Sequence, residues 1–174
     1  MFESNDTFVE DAVKVKLSGA DRAKNNGLIA VSLLLLWATI SITGAARLIV
    51  AVLFVICAVI TVIVLMNRNI EYEYDYTNGS LEIAKIVDNS KRKKIVSIES
   101  AELRMVAAVG TNESLKYDNV KLKTYDCSAH DPNIKTYILV AHSEAKGNDF
   151  KVIFNPSEKL INAMMKYNKR EIYQ

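Results

Sequence analysis

Residues 27–66 read GLIAVSLLLLWATISITGAARLIVAVLFVICAVITVIVLM, forty residues with a single charge, Arg47. Elsewhere in the 174-residue chain charged side chains are frequent, so the mean hydropathy of +0.08 averages two unlike parts. This length allows one domain of about 100–150 residues plus a short appendage. It excludes a large multidomain enzyme and a many-helix transporter, and a chain so small cannot bury the whole block inside itself. As one helix the block would run roughly 60 Å at ~1.5 Å per residue, twice the ~30 Å hydrocarbon core. Two passes are therefore predicted, Leu28–Thr43 and Leu48–Met66. The break is Gly44-Ala45-Ala46-Arg47, which holds the block's only glycine after Gly27. An arginine at mid-span costs on the order of 3 kcal/mol, a cost that nearly vanishes at a hairpin in the headgroup region.

Basic residues flank both spans: Lys14, Lys16, Arg22 and Lys24 before, then Arg68, Lys85 and Lys91-Arg92-Lys93-Lys94 after. The positive-inside rule then predicts a two-span, multi-pass protein of the cell membrane with both termini cytoplasmic. A cleaved leader would need an n-region of some 26 residues and would still leave a second span. The spans contain no Asp, Glu, Lys or His, so an anchor is expected rather than a pump or channel. Trp37, at mid-span, suggests packing against the second helix or another subunit.

Ahead of the spans, Thr7-Phe8-Val9-Glu10 has the spacing of a capping box. It predicts a short amphipathic helix over Thr7–Leu17, with a polar linker from Asp21 to Asn26. The expected organisation is an N-terminal helix and linker (1–26), a transmembrane helical hairpin (27–66) and a cytoplasmic domain (67–174).

From Ile70 the period of apolar residues becomes two. Ile70, Tyr72, Tyr74 and Tyr76 alternate with Glu71, Glu73, Asp75 and Thr77, the pattern of a half-buried strand. Asn78-Gly79 signals a tight hairpin, because both central residues of a type I′ turn need positive φ. Further strands are predicted at Ser80–Val87, Lys91–Ile98, Glu102–Ala108, Asn119–Ser128, Lys135–His142 and Asp149–Phe154. Asn155-Pro156-Ser157-Glu158 then predicts a helix with Asn155 as N-cap and Pro156 at its first position. Its stripe is Leu160, Ile161, Met164 and Met165, closing near Tyr167. About seven antiparallel strands and one terminal helix indicate an α+β fold, in the order of a pleckstrin-homology-like (PH-like) partly open antiparallel β-barrel capped by a C-terminal helix; a six-stranded sheet with a covering helix is the alternative, because Glu102–Ala108 is ambiguous.

Two spans, then Ile70–Gly79, then Lys91–Lys94, then Phe154-Asn155-Pro156 through Tyr167 to Arg170 together resemble an uncharacterised family of small bacterial membrane proteins. More distantly, the chain is similar to bacterial membrane-anchored PH-like proteins. The resemblance implies a topology and a fold and carries no activity, substrate or catalytic residue.

Few residues suggest chemistry. The two cysteines, Cys57 and Cys127, suggest no disulfide framework, as suits a reducing cytoplasm. Asp126, Cys127, His130 and Asp131 are the densest group of potential ligands, but a structural zinc usually needs four Cys or His at recognisable spacings. No metal or cofactor is expected. A Cys127–His130 or Cys127–His142 pair lacks any elbow or oxyanion signature, so no catalytic residue is assigned and no enzyme is expected. Lys91, Arg92, Lys93 and Lys94 are the candidate lipid-binding residues, since basic residues near an anionic leaflet contribute roughly 1 kcal/mol each. From Asn67 onward 17 basic residues face 15 acidic ones, which argues against nucleic acid. The expected function is a membrane-anchored, non-enzymatic binding module engaging an anionic headgroup or a protein partner. An accessory subunit of a larger membrane complex is the alternative, and self-association through the hairpin or a sheet edge is compatible with either.

Overall fold

In a computed structural model described over residues 7–66, 68–143 and 147–173, the chain divides into two units, 17–69 and the chain up to Lys16 with Ile70 onward. In the first, the Ser18 hydroxyl accepts the Asp21 amide at 3.0 Å and the Asp21 carboxylate accepts the Ser18 amide at 3.3 Å. This capping box starts helix α1, Gly19–Ser41. The polar linker predicted at Asp21–Asn26 is therefore helical: a reciprocal cap upstream satisfies the free amides, and nothing between Asp21 and Asn26 breaks the helix. Helix α2 spans Ala46–Met66. The turn between them holds Gly44 at φ +79°, a conformation that costs glycine least. Arg47 lies in the first turn of α2 rather than in the loop.

At 23 and 21 residues, both helices are long and apolar enough to cross a membrane. Where they meet, the Ser32 hydroxyl lies 3.0 Å from the Thr61 hydroxyl and 3.3 Å from Cys57 Sγ. Each hydroxyl also donates to the carbonyl four residues back, to Leu28 and Cys57 respectively. Trp37 is 67% exposed, so it does not pack on α2 as one of the two expectations held.

In the second unit, the N-terminal segment is not a helix. Phe8–Lys14 forms strand β1, antiparallel to β2 (Ile70–Thr77), with Val9 opposite Tyr76 and Lys14 opposite Glu71. Val9, Val13 and Val15 alternate with Glu10, Lys14 and Lys16, a period of two that Asp11 interrupts. Asp11 faces the interior for a separate reason: its carboxylate accepts the Ser157 amide at 2.6 Å. The Val15 amide donates to the Ile70 carbonyl at 2.9 Å. The apolar helix pair is thus an insertion between the first two strands of this unit, which the predicted division into three consecutive segments did not anticipate.

Strands β3 (Ser80–Val87) and β4 (Lys91–Glu99) complete a four-stranded sheet in the order β1-β2-β3-β4. The predicted Asn78-Gly79 turn is present, with φ of 48° and 94°. A Cβ on Gly79 would also press on Tyr167 and Ser100, at 3.2 and 3.3 Å.

The second sheet contains β5 (Leu103–Ala108), β6 (Lys123–Asp126), β7 (Tyr137–Ser143), β8 (Asn148–Phe154) and β9 (Ile172–Tyr173), in the order β6-β8-β7-β5-β9. Its β6–β8 and β5–β9 pairs are parallel. The described residues thus form nine strands in two sheets, not closed into a barrel and not wholly antiparallel. The strand predicted over Asn119–Ser128 shortens to β6. The chain before it, from the short helix α3 (Asn112–Leu115) to Leu122, lays Tyr117 and Leu122 over Met105, Ala107, Ile138 and Val140.

The core lies between the sheets, where Tyr74, Ile83, Leu139 and Phe154 are fully buried and Tyr74 meets Phe154 edge to face at 5.7 Å. Helix α4 (Glu158–Met165) adds Leu160, Ile161 and Met164. Its N-cap is Ser157, not Asn155; the Ser157 hydroxyl accepts the Leu160 amide at 3.3 Å. Asn155 is drawn inward instead. Its side-chain oxygen accepts the Ala129 amide at 2.6 Å, and its amide group donates to the Lys135 carbonyl and Thr136 hydroxyl at 3.0 Å each.

Candidate functional site

The four basic residues open strand β4 rather than filling the turn. The turn is Asp88-Asn89, both at positive φ, closed by a Ser90 amide to Val87 carbonyl bond of 3.2 Å. On a strand, successive side chains point to opposite faces, so the run divides into two pairs with different surroundings.

Arg92 and Lys94 lie on the face turned away from the core. Arg92 donates to Glu73 at 2.6 Å, Asp75 at 2.7 Å and Glu82 at 3.0 Å, while Lys94 reaches Glu82 at 2.7 Å. Register explains the gathering of acids: Glu10, Asp75 and Glu82 stand directly opposite one another across β1, β2 and β3. Like charges so placed repel, and Arg92 offsets this by bridging three carboxylates. Burial, with Glu73 beside it, holds the Asp75 carboxyl above its ordinary range against the pull of Arg92. Hydrogen bonds from Lys94 and Arg92 hold Glu82 below its own. The bonds that Arg92 donates to Glu73 and Glu82 in turn raise its guanidinium. Among the described residues, Glu10, Glu73 and Asp75 form a group whose carboxylate oxygens lie within 4.8 Å of one another. Sequence reasoning missed it because the residues come from two strands some sixty positions apart.

Lys91 and Lys93 are different. Among the described residues neither has a carboxylate within ion-pair distance, and Lys93 stands opposite another lysine, Lys85. The register runs Ile70–Val87–Lys91 across three strands. At ~4.8 Å per strand, Lys91 is about 10 Å from Ile70. Ile70 follows the last residue of α2, Met66, by only four positions.

The Asp126-Cys127-His130-Asp131 group converges only in part: His130 Nδ1 lies 3.9 Å from the Asp126 carboxylate, while Cys127 and Asp131 have other surroundings. Cys127 is buried in the core, Asp126 accepts the Ser128 hydroxyl at 2.7 Å, and Asp131 pairs with Lys16 at 3.1 Å. His130 sits 3.4 Å from the Ser128 hydroxyl, and His142 is engaged by Asp149 at 2.7 Å. Burial, then the neighbouring Asp126, pushes the Cys127 thiol up to about 12. A thiolate is the reactive form. In a Cys57→Ser background, Cys127 of the folded protein should therefore react at neutral pH more than roughly a hundredfold slower than free cysteine. The rate should rise with pH and become ordinary in denaturant. Fast native labelling at pH 7 would contradict this placement of the thiol.

Two sheets and a terminal helix give this unit a PH-like architecture, that of a binding module in general. The chain belongs to the family described as "Bacterial PH-like domain (DUF6106)", whose model matches residues 5–174. No curated protein and no solved structure matches it. The match begins before β1 and runs through the inserted helices, so it takes in both parts of the discontinuous unit.

Proposed function

We propose that the chain is a membrane-anchored, non-enzymatic binding module whose PH-like unit engages anionic headgroups at the cytoplasmic leaflet through Lys91 and Lys93. The observation that carries this reading is the register placing Lys91 about 10 Å from the strand end that directly follows the apolar helices. Lys93, with Lys85 opposite and no acidic partner among the described residues, extends the unneutralised charge. Arg92 and Lys94, held by Glu73, Asp75 and Glu82, serve the outer sheet face instead. The β1–β2 pairing also supports the topology. Lys16 and Ile70 flank the inserted helices, and the Val15–Ile70 bond keeps those chain ends together, which suits two spans returning to one side.

The test uses a soluble unit in which a short Gly-Ser linker replaces residues 17–69, sedimented with vesicles of phosphatidylcholine containing or lacking phosphatidylserine. At about 1 kcal/mol per basic residue, the double change Lys91→Gln and Lys93→Gln should weaken binding to the anionic vesicles by roughly 30-fold. Lys94→Gln, which removes a cation already held by Glu82, should cost less than about threefold. Equal losses, or none, would remove the proposal.

A further inference from the structure

At one end of the PH-like unit the chain leaves for the apolar helices and returns from them, and hydrogen bonds fix what lies beside that exit. The Val15 amide donates to the Ile70 carbonyl at 2.9 Å, and the next amide, Lys16, donates to the Ala129 carbonyl at 2.7 Å. The Lys16 ammonium also holds Asp131 at 3.1 Å. Asp131 opens a tight turn: its carbonyl accepts the Ile134 amide at 3.1 Å, and its carboxylate accepts the Asn133 amide at 3.1 Å. Two residues past Ile134, the Thr136 carbonyl accepts the Val109 amide at 2.9 Å. The turn at Ile134 and the end of β5 therefore stand at the same end of the unit as Lys16 and Ile70. Helix α3 is tied to that end too, by the Thr111 hydroxyl donating to the Ala108 carbonyl at 2.8 Å and the Gly110 amide donating to the Ser114 hydroxyl at 3.0 Å.

Three side chains in these connections are apolar and uncovered: Val109 is 55% exposed, Leu115 52% and Ile134 40%. Val109 follows Met105 and Ala107 on the outer face of its sheet, and Tyr117 and Leu122 pack over those two while Val109 stays open. We infer that Val109, Leu115 and Ile134 insert into the interfacial layer of the bilayer, seating the exit end of the unit on lipid by apolar contact. The neighbour that the covalent connection supplies is the bilayer. Ile70 follows Met66, the last residue of α2, by four positions, a reach of at most about 14 Å. If α2 spans the membrane, this end of the unit is held within reach of the headgroup layer. Charge does not account for the seat, since Lys116 and Lys135 are balanced by Glu113 and Asp118, and Asp131 is held by Lys16. The Asp131–Ile134 turn is fixed by its own bonds before it meets lipid, so insertion orders little. The inference rests on the membrane anchoring of the proposed function, but it uses neither Lys91 nor Lys93 and needs no anionic lipid.

The test uses the full chain with its only tryptophan removed by Trp37→Phe, reconstituted in phosphatidylcholine vesicles whose acyl chains carry bromine close to the headgroup. A tryptophan introduced by Val109→Trp should be quenched several-fold more than one introduced by Thr77→Trp, at the far end of β2. Adding Ile134→Asp to the Val109→Trp chain, at unchanged Tm, should reduce that quenching about twofold or more, because an apolar side chain then no longer leaves water. Leu115→Asp, on a separate segment, should act in the same direction. Lys91→Gln with Lys93→Gln should leave the quenching unchanged in these vesicles. Equal quenching at positions 109 and 77, or quenching at 109 indifferent to both aspartate changes, would overturn the inference. Quenching at 109 that requires phosphatidylserine and is lost with Lys91→Gln and Lys93→Gln would also overturn it, while leaving the headgroup reading in place.

Discussion

A chain in which a short Gly-Ser linker replaces residues 17–69 should fold as a soluble unit, whereas a chain beginning at residue 69 should not. The physical reason is strand β1. Along its length it pairs with β2, from Phe8 opposite Thr77 to Lys14 opposite Glu71. Val9 is 5% exposed and belongs to the same core cluster as Tyr74 and Tyr76. Asp11 reaches the amide of Ser157, the residue that caps α4. Removing β1 exposes one flank of that core, leaves β2 a bare edge and deprives the start of α4 of a charged acceptor. Burial of one Val contributes about 1.5–3 kcal/mol and a hydrogen bond to a charged group about 1.5–3 kcal/mol. The combined loss is a large share of the 5–15 kcal/mol by which a domain is usually stable. The linker is short because Val15 and Ile70 are already hydrogen-bonded. Circular dichroism melts of the two chains distinguish the outcomes; a cooperative transition from the shorter one would show β1 to be dispensable.

Asn155→Ala should destabilise the PH-like unit by about 2–4 kcal/mol, measured by urea unfolding of the linked soluble unit. The Asn155 side chain serves three groups on two other segments: the Ala129 amide, the Lys135 carbonyl and the Thr136 hydroxyl. Ala129 is fully buried, so its amide finds no water when the acceptor is lost. A buried donor left without a partner costs about 1–3 kcal/mol, and the vacated volume adds to this. Beside it the Tyr74 hydroxyl donates to the Cys127 carbonyl at 2.6 Å and accepts the Asn155 amide at 3.3 Å. Burial holds that phenol well above its ordinary range, so it stays a donor at any ordinary pH. Asn155→Asp should be as damaging as the alanine change, because the carboxylate cannot donate to the Lys135 carbonyl. A loss below about 1 kcal/mol in both variants would show that Asn155 is not what pins the Cys127–Thr136 connection.

Much of the architecture was legible because local rules and tertiary environment agreed. Tyr72, Tyr74 and Tyr76 alternate with acids, Asn78-Gly79 demands a tight turn, and the structure contains both features. Readings failed where a polar residue had two eligible roles. Thr7 and Glu10 fit a helix cap, but Val9 and Val13 pack better on a strand, opposite Tyr76 and Tyr72. Asn155 fits a cap as well as Ser157 does, and only the buried Ala129 amide draws it inward. The basic run was visible as composition; its division into a neutralised pair and an unneutralised pair depends on which strand lies opposite.

By itself the sequence determined the parts: two apolar helices joined at Gly44, a strand-rich unit, a terminal helix and a basic run. Those properties follow from composition, period and turn chemistry over a few consecutive residues. Only the tertiary structure decided that residues 7–16 belong to the unit that resumes at Ile70. It also decided that the carboxylates of Glu73, Asp75 and Glu82 converge on Arg92, and that the exposed Val109 and Ile134 stand at the end where the chain leaves for the helices. These depend on pairing between residues far apart in the chain, where register rather than local preference chooses the neighbours.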